Sequence, residues 1–152
     1  MTTLIDNVYA CKNLYNQLLS PVCKEYDVNV TSIMILLYLA DNPGKVTAST
    51  IVESQHLTKS LVSMSLKDLI EKGYITCFQA EDDHRQQHLL LNSSANELVE
   101  KGKIAQMRFM EILTNGFSKS ERENVSKYFQ KIEQNISQYA GKDVKENEQP
   151  CL

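Results

Sequence analysis

Leu57-Thr58-Lys59-Ser60-Leu61-Val62-Ser63-Met64-Ser65-Leu66-Lys67-Asp68-Leu69-Ile70-Glu71-Lys72-Gly73-Tyr74-Ile75-Thr76-Cys77-Phe78 is the stretch that decides the fold. Thr58 is a side-chain cap for a helix whose apolar face is Leu61, Val62, Leu66, Leu69 and Ile70, and Gly73 stops it. Past Gly73 the apolar period drops from 3.6 to about 2. Tyr74–Phe78 and Gln87–Leu91 then predict two short strands joined by a polar tip, Gln79 to Gln86. A helix that runs directly into a hairpin is the second half of a winged helix-turn-helix.

The flanks supply the rest. Upstream, Leu4, Val8, Cys11, Tyr15, Leu18 and Val22 form the seam of a long first helix. Pro21 is expected to kink that helix or end it early, because its ring clashes with the preceding turn. Thr31 is expected to cap a second helix through Leu39, with Asn42-Pro43-Gly44 as its stop, and a short helix covers Ala48 to Gln55. Downstream, Leu98, Val99, Gly102, Ala105, Phe109 and Leu113 share one face of a helix that starts near Ser94 and breaks at Asn115-Gly116. Ser118 and Glu121 form a capping box for a last helix, predicted to carry Val125, Phe129, Ile132, Ile136 and Tyr139 inward. Gly141–Leu152 is polar and expected to fray. The fold class is mostly α with a small β-hairpin wing, and 152 residues suffice for one domain with its own core.

Composition excludes several classes. With 16 Lys+Arg against 19 Asp+Glu, the net charge of −3 excludes a bulk polycation. The longest apolar run, Ile33–Ala40, is far shorter than the ~20 residues of a membrane-spanning helix. The start has no basic segment ahead of an apolar one, and Cys11, Cys23, Cys77 and Cys151 form no CxxC pair; reduced thiols and a cytoplasmic location are expected. No phosphate-binding loop, nucleophile elbow or Cys/His pair suggests catalysis. His84 and His88 are four apart, but on a hairpin that spacing does not converge two imidazoles on a metal. They are expected to face solvent or DNA.

The helix after Thr58 has a second face, Lys59, Ser60, Ser63, Met64 and Lys67, concentrated near its N-terminal half. The first turns of a helix in the DNA major groove meet base edges, and its N-terminus favours phosphate. Lysine addresses guanine acceptors, serine bonds either base type, and methionine rests on a thymine methyl. The same pattern also describes the solvated face of any amphipathic helix.

At the wing the sequence resembles the MarR family of bacterial transcription regulators. The matching residues are Leu57-Thr58-Lys59-Ser60, then Leu69-Ile70-Glu71-Lys72-Gly73-Tyr74-Ile75, then Asp83-His84-Arg85 with Leu91 six residues on. The resemblance runs from about Asn13 to Lys103 and implies a DNA-binding repressor. It implies a homodimer on a pseudo-palindromic operator, with 1–30 and 93–140 as a helical dimerisation region, 31–92 as the DNA-binding domain and 141–152 as a flexible tail. The dimer contacts would come from Leu4, Val8, Cys11, Phe129, Ile132 and Ile136. Thr58, Lys59, Ser60, Ser63, Met64 and Lys67 would meet the major groove; Arg85 would enter the minor groove while Asp83, beside His84, fixes the wing. A crevice near Tyr15, Tyr38 and Phe109 would take a small aromatic effector.

The chain departs from the family at three places. Met64 and Asp68 stand where arginine is frequent, which lowers the positive charge of the reading helix, and Ala95 replaces a glycine after the wing, where Asn92, Ser93 or Ser94 can cap. From Gly44 to Asn92 five basic residues face six acidic ones, a balance of −1. Two other readings stay open. One is a winged-helix protein-interaction module without specific DNA binding. The other is a thiol-switched regulator, because Cys11-Lys12-Asn13-Leu14-Tyr15 is similar to the sensor segment of the family's peroxide-responsive branch, although Cys11 sits on an apolar seam.

Overall fold

The computed structural model describes residues 3–44, 46–80 and 83–139, with 80 and 83–86 described as backbone. The expected fraying of 141–152 and Cys151 lie outside the described residues. Six α-helices and three strands follow one another among the described residues: α1 (Leu4–Tyr26), α2 (Val30–Asp41), β1 (Val46–Thr47), α3 (Ala48–Gln55), α4 (Lys59–Glu71), β2 (Ile75–Ala80), β3 (Asp83–Leu91), α5 (Asn96–Leu113) and α6 (Lys119–Tyr139). The mostly helical fold with a small wing is therefore as expected.

Helix α1 starts in a capping box, where Asp6 N–H donates to Thr3 Oγ1 (3.1 Å) and Thr3 N–H to Asp6 Oδ2 (2.9 Å). It does not end early: Pro21 lies inside it, and the helix runs on to Tyr26. Proline in a helix interior costs ~3 kcal/mol. Leu19 and Val22, both buried in the core on either side of Pro21, offset that cost by tertiary packing.

Helix α2 is the centre of the core, with Ile33, Ile35, Leu36, Leu37 and Leu39 buried all round it. Its cap is Asn29, whose side chain accepts from Ser32 N–H at 2.8 Å, not Thr31. The helix thus begins one residue before Thr31, which becomes part of its first turn. Helix α3 matches its expected span, capped by Thr47. Helix α5 crosses α2 closely at Gly102, where a Cβ would stand 3.1 Å from Ile33 Cγ2.

The wing is larger than the sequence suggests. Strand β3 lies in the middle of an antiparallel sheet ordered β1-β3-β2, pairing Val46 with Leu89 and Ile75 with Leu91. The ladder reaches Ala80↔Asp83, with an irregularity between Gln79 and Ala80, so most of the expected polar tip is strand. The ladder there is held by backbone pairing, and the residues Gln79–Gln86 show no apolar alternation in the sequence, so periodicity does not find it. Two-residue β1 carries too few side chains to show any period.

Packing divides the molecule into a unit reaching to Glu111 and a second from Ile112. In the second, Ser118 N–H donates to Glu121 Oε2 (2.7 Å) and Glu121 N–H to Ser118 Oγ (3.3 Å), the expected capping box. No residue of α6 is buried, so Phe129, Ile132, Ile136 and Tyr139 do not point into a core of this chain, and Val125 is half-buried.

Candidate nucleic-acid interface

Helix α4 is positioned from both ends. At its start Thr58 Oγ1 accepts from Leu61 N–H (3.3 Å), which fixes where the exposed first turn begins. At its end Tyr74 N–H bonds Leu69 C=O (2.9 Å) and Gly73 N–H bonds Ile70 C=O (3.0 Å), a Schellman closure. That closure needs the left-handed backbone of Gly73, at φ 73°.

The buried face of α4 is Val62, Ser65, Leu66 and Leu69. This corrects the sequence reading: Leu61 and Ile70 are exposed, and Ser65 is buried in their place. The two misplaced residues sit at the edges of the stripe, where period alone cannot decide burial. Ser65 is tolerated inside because its hydroxyl bonds Asn29 Oδ1 at 3.4 Å, the same oxygen that caps α2. That bond joins α4 to the central helix.

The other face is open. Lys59, Ser60, Ser63, Met64 and Lys67 are all exposed, Met64 to 68%. Lys67 lies 3.9 Å from Glu71 one turn on, an exposed pair that leaves the ammonium accessible. Asp83, His84 and Arg85 are the first three residues of β3; their side chains lie outside the described ones. His88 faces neither solvent nor DNA: it is 5% exposed, and its ring lies 5.4 Å from that of Phe78. As a residue of the central strand it is flanked by both neighbours, which a two-stranded reading of the wing does not anticipate.

Sequence reasoning missed three features. Asp68 accepts from Lys72 Nζ (3.1 Å), and the same ammonium reaches the Asp27 carboxylate (3.4 Å) and carbonyl. Lys72 therefore ties α4 to the end of α1, and its hydrogen bond to the Asp68 carboxylate holds the ammonium above its ordinary pKa. Its i,i+4 spacing was the available signal; Asp27, far away in sequence, gave none. The second is Asn92. It makes no side-chain cap; its Nδ2 donates to Gly73 C=O (2.9 Å) and its Oδ1 accepts from Thr76 Oγ1 (2.9 Å). The third is a groove of about 730 Å³ between α3, α4 and the sheet, lined by Ser49, Val52, Lys59, Ser63, Cys77 and Leu89 among others.

The remaining residues divide between α1, α2, α5 and α6. Tyr15 and Phe109 meet edge to face at 5.2 Å, and Tyr15 Oη accepts from Gln106 Nε2 (3.2 Å). Burial pushes the Tyr15 hydroxyl pKa up. Tyr38 packs half-buried against the core from α2. Leu4, Val8, Phe129, Ile132 and Ile136 are exposed, and Cys11 is half-buried. No helix among the described residues is long and apolar enough to cross a membrane.

Comparison with known proteins follows the same lines. Residues 26–86 match the model of the MarR family. A putative MarR-family transcriptional regulator from Listeria monocytogenes, solved with a 26mer DNA, superposes with a TM-score of 0.85 at 15% identity, covering 95% of this chain and 99% of that one. The S. aureus MepR–DNA complex gives 0.76 at 20% identity over 88% and 96% of the two chains. A MarR protein from Peptoclostridium difficile gives 0.78 at 20% identity over 88% and 86%. These likenesses establish the fold. No curated protein matches the chain in sequence.

Proposed function

We propose, from the premise that residues 26–86 carry the MarR-family domain, that this chain is a sequence-specific DNA-binding transcription regulator. It acts in the cytoplasm as a homodimer that represses from a pseudo-palindromic operator. The observation that carries this reading is the open first half of α4, with Lys59, Ser60, Ser63 and Met64 in solvent on a helix fixed at both ends and flanked by a wing. Burial of Val62, Ser65, Leu66 and Leu69 turns that face to solvent, and a helix docked in a major groove uses a face of this kind. Lys59, Ser60, Ser63, Met64 and Lys67 meet base edges and phosphates there, behind the cap at Thr58.

The wing supplies the second contact. Arg85 enters the minor groove, where a guanidinium meets concentrated negative potential, and Asp83 with His84 sets the turn. Two of the similar structures hold DNA, which supports the same use of the fold here. Residues 1–30 and 93–140 form the dimerisation region, with 31–92 as the DNA-binding domain. Leu4, Val8 and Cys11 on α1 and, in the second unit, Phe129, Ile132 and Ile136 on α6 are the contacts each offers to a second subunit. Exposed apolar side chains of this kind, clustered on a helix, mark protein contacts. A small aromatic effector enters beside Tyr15, Tyr38 and Phe109 and releases the DNA.

The test is a gel shift on DNA upstream of the chain's own gene, run with wild type and Arg85→Ala. The wild type should give a discrete complex and Arg85→Ala should bind about tenfold more weakly, the order of magnitude of a lost groove contact. Equal affinity would remove Arg85 from the interface.

A further inference from the structure

The chemistry of α4 points to what it reads. In the major groove, guanine and adenine are distinguished most strongly by side chains that make two hydrogen bonds to one base, arginine to guanine and asparagine or glutamine to adenine. Helix α4, from Lys59 to Glu71, contains no arginine, asparagine or glutamine. Its hydroxyls at Ser60 and Ser63 accept and donate, so they bond either base type and discriminate little. Lys59 stands at the very start of the helix, and Lys67 is two turns in with Glu71 beside it.

The other exposed side chains of the first two turns are apolar, Leu61 at the edge of the buried stripe and Met64 on the open face. Leu61 is 47% exposed and Met64 68% exposed. They are three apart, which makes them neighbours on the helix surface with Cβ atoms about 5–6 Å apart. Both belong to the first two turns, the part of a reading helix that reaches base edges. The only apolar group a base pair presents in the major groove is the thymine 5-methyl.

We infer that Leu61 and Met64 form an apolar pair that recognises thymine methyl groups, and so determine the specificity of the reading helix. This rests on the DNA-binding reading above. The preferred half-site then contains one or two thymines whose methyl groups, rather than their hydrogen-bonding edges, are the feature selected. The −1 balance of residues 44–92 fits this: with little general attraction to phosphate, discrimination depends on contacts that desolvate apolar surface.

The experiment starts from the duplex that the purified full chain selects from a random pool, and replaces its thymines singly by deoxyuridine, which lacks only the methyl. One or two positions per half-site should lose about fourfold in affinity, the equivalent of ~0.8 kcal/mol for one buried carbon. The double variant Leu61→Ala/Met64→Ala should bind the thymine and deoxyuridine duplexes equally. Both side chains are exposed, so an unchanged circular dichroism spectrum checks that the variant is folded. A selected duplex whose affinity ignores deoxyuridine at every position overturns the inference and leaves the regulator reading intact. A double variant that stays as sensitive as wild type also overturns it. A wild-type protein that selects no duplex overturns both.

Discussion

Asn92 locks the base of the wing with one side chain. Its amide donates to the carbonyl of Gly73 and its oxygen accepts from Thr76, while its own N–H bonds Tyr74 C=O at 2.9 Å. Gly73 C=O also receives Ser94 Oγ at 2.7 Å, so the turn after α4 and the exit of β3 are held as a unit. Asn92→Asp keeps the acceptor and loses the donor. It should cost about 1 kcal/mol, a typical net hydrogen bond, and lower the melting temperature by about 2–4 °C. An unchanged melting curve would mean that Ser94 alone holds the turn. In the sequence this residue looked only like a candidate cap, because a side chain's long-range partner does not appear in local spacing. Thr58 and Ser118 were legible for the opposite reason: a cap's partner lies two or three residues away.

At the scale of elements, α4 is the helix whose angle matters most, and Lys72 is where it meets α1. The Lys72 ammonium sits between Asp68 of its own helix (3.0 Å) and Asp27 at the end of α1 (3.4 Å). Because Asp68 raises its pKa, the stabilisation is complete below the ordinary value of 10.5 and disappears only as pH rises through the raised one. Lys72→Met should therefore melt a few degrees below wild type, with the same deficit at pH 7 and pH 10 in a thermal denaturation series. A deficit absent at pH 7, or gone by pH 10, would contradict the role. Most helices were legible in the sequence because burial follows their period. The exceptions have physical causes: Leu61 and Ile70 fall at the margin of the stripe, and core packing carries α1 through Pro21. Strands β1 and the outer part of β2 and β3 left no trace because their order comes from backbone pairing, not from side-chain alternation.

At the scale of the whole molecule, two features of the sequence meet. The net charge of −3 and the −1 balance of 44–92 argue against a protein that holds DNA by charge alone. The apolar side chains of α1 and α6 are left exposed in one chain, and the proposed homodimer gives them a partner. Both follow if two winged domains are paired, so that affinity comes from two correctly spaced half-sites rather than from many phosphates. The proposed dimer rests on resemblance to a family, since an apolar helical face looks the same in a sequence whether its own chain or another covers it. The measurement that tests this most directly is selection of bound sequences from a random DNA pool by the purified protein. It should enrich an inverted repeat whose half-sites are about one helical turn apart, roughly 34 Å between centres. No enrichment, or a single unrepeated site, would contradict a twofold reader of DNA.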